Sequence, residues 1–394
     1  MPILTEFELF AVDLPFRTAF RHAAAARRVS ESVFLRARLD SGVEGWGESL
    51  PRPYVSGESR EVAFELLRDT VLPAMLGQEF GSFADVVSFL EKCDGKAPSA
   101  WVLPDVAQSS AWCGVDLALI DAFARAFGEA AWVRAPEAER TLADPLARYR
   151  YSGVVSVERG WRFALTLFKM RAYGFPHVKL KLEREGAVRS ARLARRLLGR
   201  RVDLRVDANM AWDVERALNV ISELKAIGIT SFEQPIAADD LDGLARLVRE
   251  SSAGIVVDEG FTDHESLLRL VRHQACTGVN VRISKCGGLV AAAARCREAL
   301  DAGLMVQIGC QVGESSLLSA AHVILLSALA PMKAPVRYVE GCFGRHLLRD
   351  DPVSPTVQFR YGGRAPSRPS GPGLGVSVDP TALDRWSVEK ASIS

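Results

Sequence analysis

Five charged residues recur along the chain at nearly one interval. Lys181, Asp207, Glu233, Asp258 and Lys285 are separated by 26, 26, 25 and 27 residues. Each stands at or just past the end of a short apolar run: HVKLK, DLRVDAN, ITSFEQP, GIVVDEG and VNVRISKCGG. Three carboxylates between two lysines make a set that can hold a cation and move a proton. Asp207, Glu233 and Asp258 offer only oxygen donors, which suits Mg²⁺, or Mn²⁺, better than zinc. A single strand-end carboxylate is most often a solvated loop start; three in consecutive repeats argue for a shared ion. Glu259 adjoins Asp258, and strand alternation lets only one of the two face the others, taken here as Asp258. Asn209 and Gln234 follow two of the ligands closely enough to hydrogen-bond them.

Lys179 and Lys181 are two apart on one run, so their side chains share a face. Two ammonium groups so close, beside a metal, are expected to lower each other's pKa and free an amine as a base. Lys285 closes the ring on the far side, before Cys286-Gly287-Gly288, where small residues let backbone approach a ligand. Opposed lysines suit taking a proton from one face of a substrate and returning one to the other.

Such a ring needs strands that end together. From about 150 to 340 the pattern alternates strand and helix, with strands near 151–156, 177–181, 203–207, 229–233, 254–258, 279–284, 304–309 and 336–340. Eight strands with intervening helices predict a (β/α)8-type barrel, whose functional residues gather at strand C-termini. An open doubly wound sheet would alternate similarly, but no glycine-rich phosphate loop follows the first strand. Residues 1–130 read as an α+β domain: an antiparallel meander over 3–12, 33–39 and GVEGWGES, then helices near 60–75, 82–93 and 107–127. Ala23–Ala26 with Arg27 and Arg28 read as a surface loop or flap. The division expected is a capping domain over 1–130, a barrel over 131–345 and a tail over 346–394 that returns to the capping domain.

The 394 residues carry 49 Lys+Arg against 48 Asp+Glu, a formal charge of +1. That balance offers no general attraction to nucleic acid or to an anionic membrane. Seven cysteines without a CxxC pair suggest reduced, buried thiols. No basic segment precedes a long apolar stretch at the N-terminus and no apolar run is long enough to span a bilayer, so a cytoplasmic protein is expected.

The ordered set KLK, VDAN, FEQP, DEG and SKCGG closely resembles the enolase superfamily, and within it the muconate lactonizing (muconate cycloisomerase) branch of the mandelate racemase/muconate lactonizing enzyme family. GWGES, the helix AWCGVDLALIDAFARAFG and the Pro/Gly-rich tail resemble that family's capping domain and its return. The resemblance implies a Mg²⁺-dependent isomerase, a racemase, epimerase or cycloisomerase, working on a small carboxylate through an enediolate, and a homo-oligomer. It implies Lys181 and Lys285 as the acid–base pair, Lys179 as the partner of Lys181, and Asp207, Glu233 and Asp258 as ligands. A β-elimination lyase of the succinylbenzoate synthase kind would use the same ring. A Schiff-base aldolase on Lys285 and a non-catalytic metal-binding barrel are the remaining alternatives. Candidate substrate contacts are Arg17, Arg21, Arg52, Tyr54 and Glu340, with Glu314 ranked below them. IGCQVGESS lacks the seventh-strand histidine of the racemase and dehydratase branches, and His322 reads as a packing residue.

Overall fold

A computed structural model describes residues 1–22, 25–103, 105–132, 145–156, 160–182, 186–332 and 336–394, with the side chains of 19–22 and 25–26 outside the description. The N-terminal meander is β1 (Leu4–His22), β2 (Ala25–Leu39) and β3 (Glu44–Ser49). The last strand, Ser387–Ile393, pairs antiparallel with β1, so the C-terminal tail completes the capping sheet. Of the expected flap, Ala25–Arg28 belong to β2 at the end of a two-stranded ribbon, and Ala23 and Ala24 lie outside the described residues. After a register shift the ladder continues through Phe20–Arg27 to His22–Ala25.

Helix Ser109–Ala126 lies on this sheet with almost every side chain buried. GWGES permits that close approach, because a Cβ on Gly47 would stand 1.8 Å from the Gly114 carbonyl oxygen. The helix expected over 60–75 is broken by a π-turn at Leu67–Val71, just before Pro73, which lacks the N–H for a regular helical bond.

The barrel strands are β4 (Gly153–Ser156), β5 (His177–Lys181), β6 (Asp203–Asp207), β7 (Ser231–Glu233), β8 (Gly254–Val257), β9 (Gly278–Val281), β10 (Met305–Ile308) and β11 (Val336–Val339). All run parallel in sequence order, and a bridge from Tyr151 to Val339 closes the ring. The even spacing of the charges has a direct cause: Lys181 is in register with Asp207, and Asp207 with Glu233. The next step breaks the pattern. Glu233 pairs with Val256, so Asp258 lies two residues past the register and just beyond β8.

Buried carboxylates fasten the capping domain to the barrel. Glu48 of β3 accepts from the Ser315 amide (3.1 Å) and hydroxyl (2.6 Å) at the start of helix Ser316–Leu329. Asp116 accepts from the Leu289 amide (2.7 Å) at the start of helix Leu289–Asp301. Each supplies an oxygen to orphan helix N–H groups. No helix among the described residues is long and apolar enough to cross a membrane.

Candidate active site

A cavity of about 220 Å³ opens at the C-terminal ends of the barrel strands. Lys179 and Lys181 reach it from β5, Asn209 follows β6, and Glu259 follows β8. Arg282 follows β9, Glu340 follows β11, and Tyr54 comes from the capping domain.

Period-two alternation stacks these side chains in two layers. In the lower layer Lys179, Arg205, Asn280 and Gln307 fill the barrel, all at most 3% exposed. Asn280 and Gln307 donate to the two oxygens of Glu233, at 3.2 and 2.8 Å. Two residues further along the chain stand Lys181 above Lys179, Asp207 above Arg205 and, just past the end of β9, Arg282 above Asn280.

Lys179 is the hub of the lower layer. Its Nζ lies 3.1 Å from Glu233, 3.3 Å from Asp207 and 2.8 Å from Glu340. Burial works against its charge, but those three carboxylates outweigh burial and hold Lys179 protonated, well above the ordinary lysine range. The lowering expected from a neighbouring cation is outweighed at Lys179 by these three acids. Burial likewise pushes Glu233 up, while Lys179, Arg205 and Arg282 pull it down to about 2. Lys181 is more open, with its Nζ 3.7 Å from Asp207.

The opposite wall differs from expectation. Lys285 is fully buried and does not line the cavity. Its three ammonium protons have three acceptors: the Asp258 carbonyl at 2.7 Å, Asp258 Oδ1 at 2.8 Å and the Asn280 carbonyl at 2.8 Å. Burial draws its pKa down to about 7, the range of a poised base, yet every proton is already committed within the wall. Arg282 holds the cavity position instead. Its Nη2 pairs with Asp258 and its Nη1 donates to Gln311 at 3.1 Å. The strand ends at Val281, and the Cys286 amide bonds back to the Arg282 carbonyl at 2.9 Å, a single helical turn that carries Lys285 away from the mouth. Gly287 brings the backbone close, but to the capping domain: a Cβ there would lie 2.1 Å from the Gly95 carbonyl oxygen. The sequence held a usable signal, since Arg282 continues the inward face of Asn280.

The three expected ligands divide. Asp207 and Glu233 converge on one cation, the Lys179 ammonium, which shows that their oxygens can share a positive centre. Asp258 has one oxygen on Lys285 and the other on Arg282. Glu259, passed over in the sequence reading, lines the cavity with a buried Oε2 that has no hydrogen-bond partner. Burial, reinforced by Asp207 and Glu233, raises its carboxyl to about 7. Among the described residues no three Asp, Glu, His or Cys side chains stand close enough to hold an ion as they lie. The donor set nonetheless fits a hard divalent cation: all oxygen, from successive strand ends, with two members converged and one oxygen unused.

Asn209 donates to Asp207 Oδ1 from its side chain at 2.5 Å and its backbone at 3.1 Å. Gln234 accepts from the Asp258 and Gly260 amides and so shapes the loop after β8. Arg52 is a correction. It is 1% exposed and donates to the Glu31, Pro51 and Val312 carbonyls at 3.1, 2.7 and 3.0 Å, fastening the ribbon and the β10 loop rather than meeting substrate. Glu340 is at the cavity, but its oxygens are taken by Arg205 and Lys179, so it offers no free site for a substrate cation. Arg17 is exposed and lines no part of the cavity; its amide donates to the Leu347 carbonyl at 2.9 Å. The Arg21 side chain lies outside the described residues. Glu314 is buried behind the wall, its carboxyl raised to about 8 by burial. His322 is buried with Nδ1 2.9 Å from the Tyr151 hydroxyl, and burial holds it neutral, down to about 3.

Comparison with known proteins places this geometry. Residues 5–132 match the mandelate racemase / muconate lactonizing enzyme N-terminal domain, and residues 164–382 match the enolase C-terminal domain-like family. A chloromuconate cycloisomerase of Cupriavidus pinatubonensis is 28% identical, across 95% of this chain and 96% of its own. An N-succinyl-L-Arg/Lys racemase of Bacillus cereus is 25% identical across 81% and 82%. The crystal structure of that racemase superposes with a TM-score of 0.86, at 22% identity and full coverage of both chains. A Cytophaga hutchinsonii dipeptide epimerase, solved with Mg and a dipeptide, gives a TM-score of 0.83 at 23% identity, again covering both chains. With both domains matched in order, the chain belongs to the mandelate racemase/muconate lactonizing enzyme family and is an isomerase of that family.

Proposed function

We propose that the protein is a divalent-metal-dependent isomerase of the cycloisomerase type, in which Lys181 alone exchanges the proton α to a substrate carboxylate. The observation that supports this reading is the asymmetry of the walls. In a closed eight-stranded ring, the second and sixth strands stand across from each other. Lys181 ends the second and Arg282 follows the sixth, while Lys285 is enclosed.

Lys181, as free amine, takes the α-proton on Nζ, and the electron pair left behind spreads into the carboxylate as an enediolate. When that pair expels a β-oxygen, a lactone opens to an unsaturated diacid; the reverse closes the ring, and Lys181 returns the proton to the same carbon. Asp207 and Glu233, with a third carboxylate from the Asp258–Glu259 pair, would hold Mg²⁺ or Mn²⁺. Such an ion supplies positive charge to the substrate carboxylate as negative charge grows there. Arg282 presents a planar, permanently charged fork to an anionic group from the other side and is a poor proton donor or acceptor. Glu340, fully paired, offers nothing to an ammonium group, which favours diacids over dipeptides. A racemase with opposed bases would need a second titrating group on the β9 wall.

The test is a mass-spectrometric exchange screen in D2O with Mg²⁺, over muconate-like diacids and their lactones, N-acyl amino acids, dipeptides and proline derivatives. The reading expects turnover among the diacids and lactones. Interconversion of amino-acid enantiomers instead would replace it with a racemase.

A further inference from the structure

A second cavity, of about 230 Å³, lies beside the first. Val154, Phe343 and His346 wall both, so the two spaces adjoin. Beyond the shared wall the lining is apolar: Met170 and Tyr173 from helix Trp161–Tyr173, with Phe175 and Phe359. The rings brace one another. His346 stacks on Phe359 at 4.7 Å between centroids, and Tyr173 stacks on Phe175 at 4.8 Å. Phe175 and Phe343 meet Phe359 edge-on at 5.5 and 5.7 Å. Gly153 lets Met170 close the far side, since a Cβ there would sit 2.7 Å from its sulfur. No carboxylate lines this space among the described residues, and Lys169 stands exposed in its lining.

A braced, apolar opening beside a charged cavity is the kind of concave surface that the apolar part of a ligand fills. Benzene is held by an apolar cavity of about 150 Å³, so this one has room for a ring. We propose that the annex receives an uncharged apolar limb of the substrate, an aryl ring or a branched alkyl group, whose carboxylate lies among Lys181, Arg282 and the metal ligands. The proposal rests on the carboxylate-site reading of the first cavity.

The test is calorimetric titration of the Mg²⁺-loaded protein with two probes, N-acetylglycine and N-(3-phenylpropanoyl)glycine. Burying the phenyl group is expected to tighten binding by at least about tenfold. Met170→Glu, which charges the far end of the annex alone, is expected to erase that gain and leave N-acetylglycine binding unchanged; Met170→Leu is expected to keep the gain. Equal affinities for the two probes, or a gain that survives Met170→Glu, would overturn the annex as a subsite. Failure of both probes to bind the unaltered protein would fault the carboxylate site, and the inference with it.

Discussion

The two walls of the cavity carry similar residues in sequence and opposite arrangements in space. On β5, KLK puts Lys179 and Lys181 in one line inside the barrel, one locked among acids and one open to the cavity. After β9, RISK brings Arg282 to the cavity and buries Lys285 behind it. The difference lies in backbone. β5 is still a strand at Lys181, so alternation governs both lysines; β9 has ended at Val281, and a helical turn governs Lys285. A lysine's chemistry follows from which side of a strand end it stands on.

Four perturbations bear on this contrast. The largest effect is expected from Lys181→Met: solvent exchange of the α-proton should fall by about a thousandfold, as for loss of a general base, with folding intact by circular dichroism. A small loss would move the base elsewhere. Lys285→Met should act on stability, since it leaves Asp258 buried with one cation fewer. Denaturant unfolding should show a loss of about 3–5 kcal/mol, while exchange per folded molecule stays within about tenfold of the unaltered protein. Exchange abolished in a fully folded Lys285→Met protein would reverse the contrast.

The third perturbation concerns pH on the β5 side. Glu233 is held at about 2 against an ordinary 4.5. A depressed carboxylate contributes stability that is present above about 4.5 and lost as pH falls through that value towards 2, on the order of 3 kcal/mol in all. Glu233→Gln should remove this acid limb from the unfolding profile; an unchanged limb would assign it to other carboxylates. The smallest effect separates Asp258 from Glu259 as third ligand. Glu259→Gln should weaken Mg²⁺ binding by about 10- to 100-fold if the unused Oε2 reaches the ion, comparable to other losses of ligand support, whereas Asp258→Asn would do so if Asp258 turns inward on loading. Calorimetry on the two variants reads this directly.

Much of the frame was legible in the sequence. Each charge marks the end of a repeat, and the repeats are strands in register, so 26-residue intervals became neighbours: Lys181 beside Asp207, Asp207 beside Glu233. The capping sheet could be read from alternation and from GWGES, whose glycines admit helix Ser109–Ala126, and the return of the tail from its Pro/Gly-rich, irregular sequence. What escaped depended on contacts between distant segments. Arg52 looks like any loop arginine until carbonyls from two distant segments, at Glu31 and Val312, converge on it. Lys285 looks like the far base until its three acceptors are seen. Glu340 looks free until Lys179 and Arg205 claim it. Arg282 was the exception: its separation of two from Asn280 already placed it on the inward face.

The central claim, one proton-transferring face, is most directly tested by the stereochemistry of exchange. In D2O with Mg²⁺, each resolved enantiomer of a turned-over lactone or acid would be followed by mass spectrometry and chiral chromatography. The account predicts deuterium entering one enantiomer only, with retention, and no appearance of the other. Interconversion of both enantiomers at a rate comparable with exchange would contradict it and require a second base on the Arg282 wall.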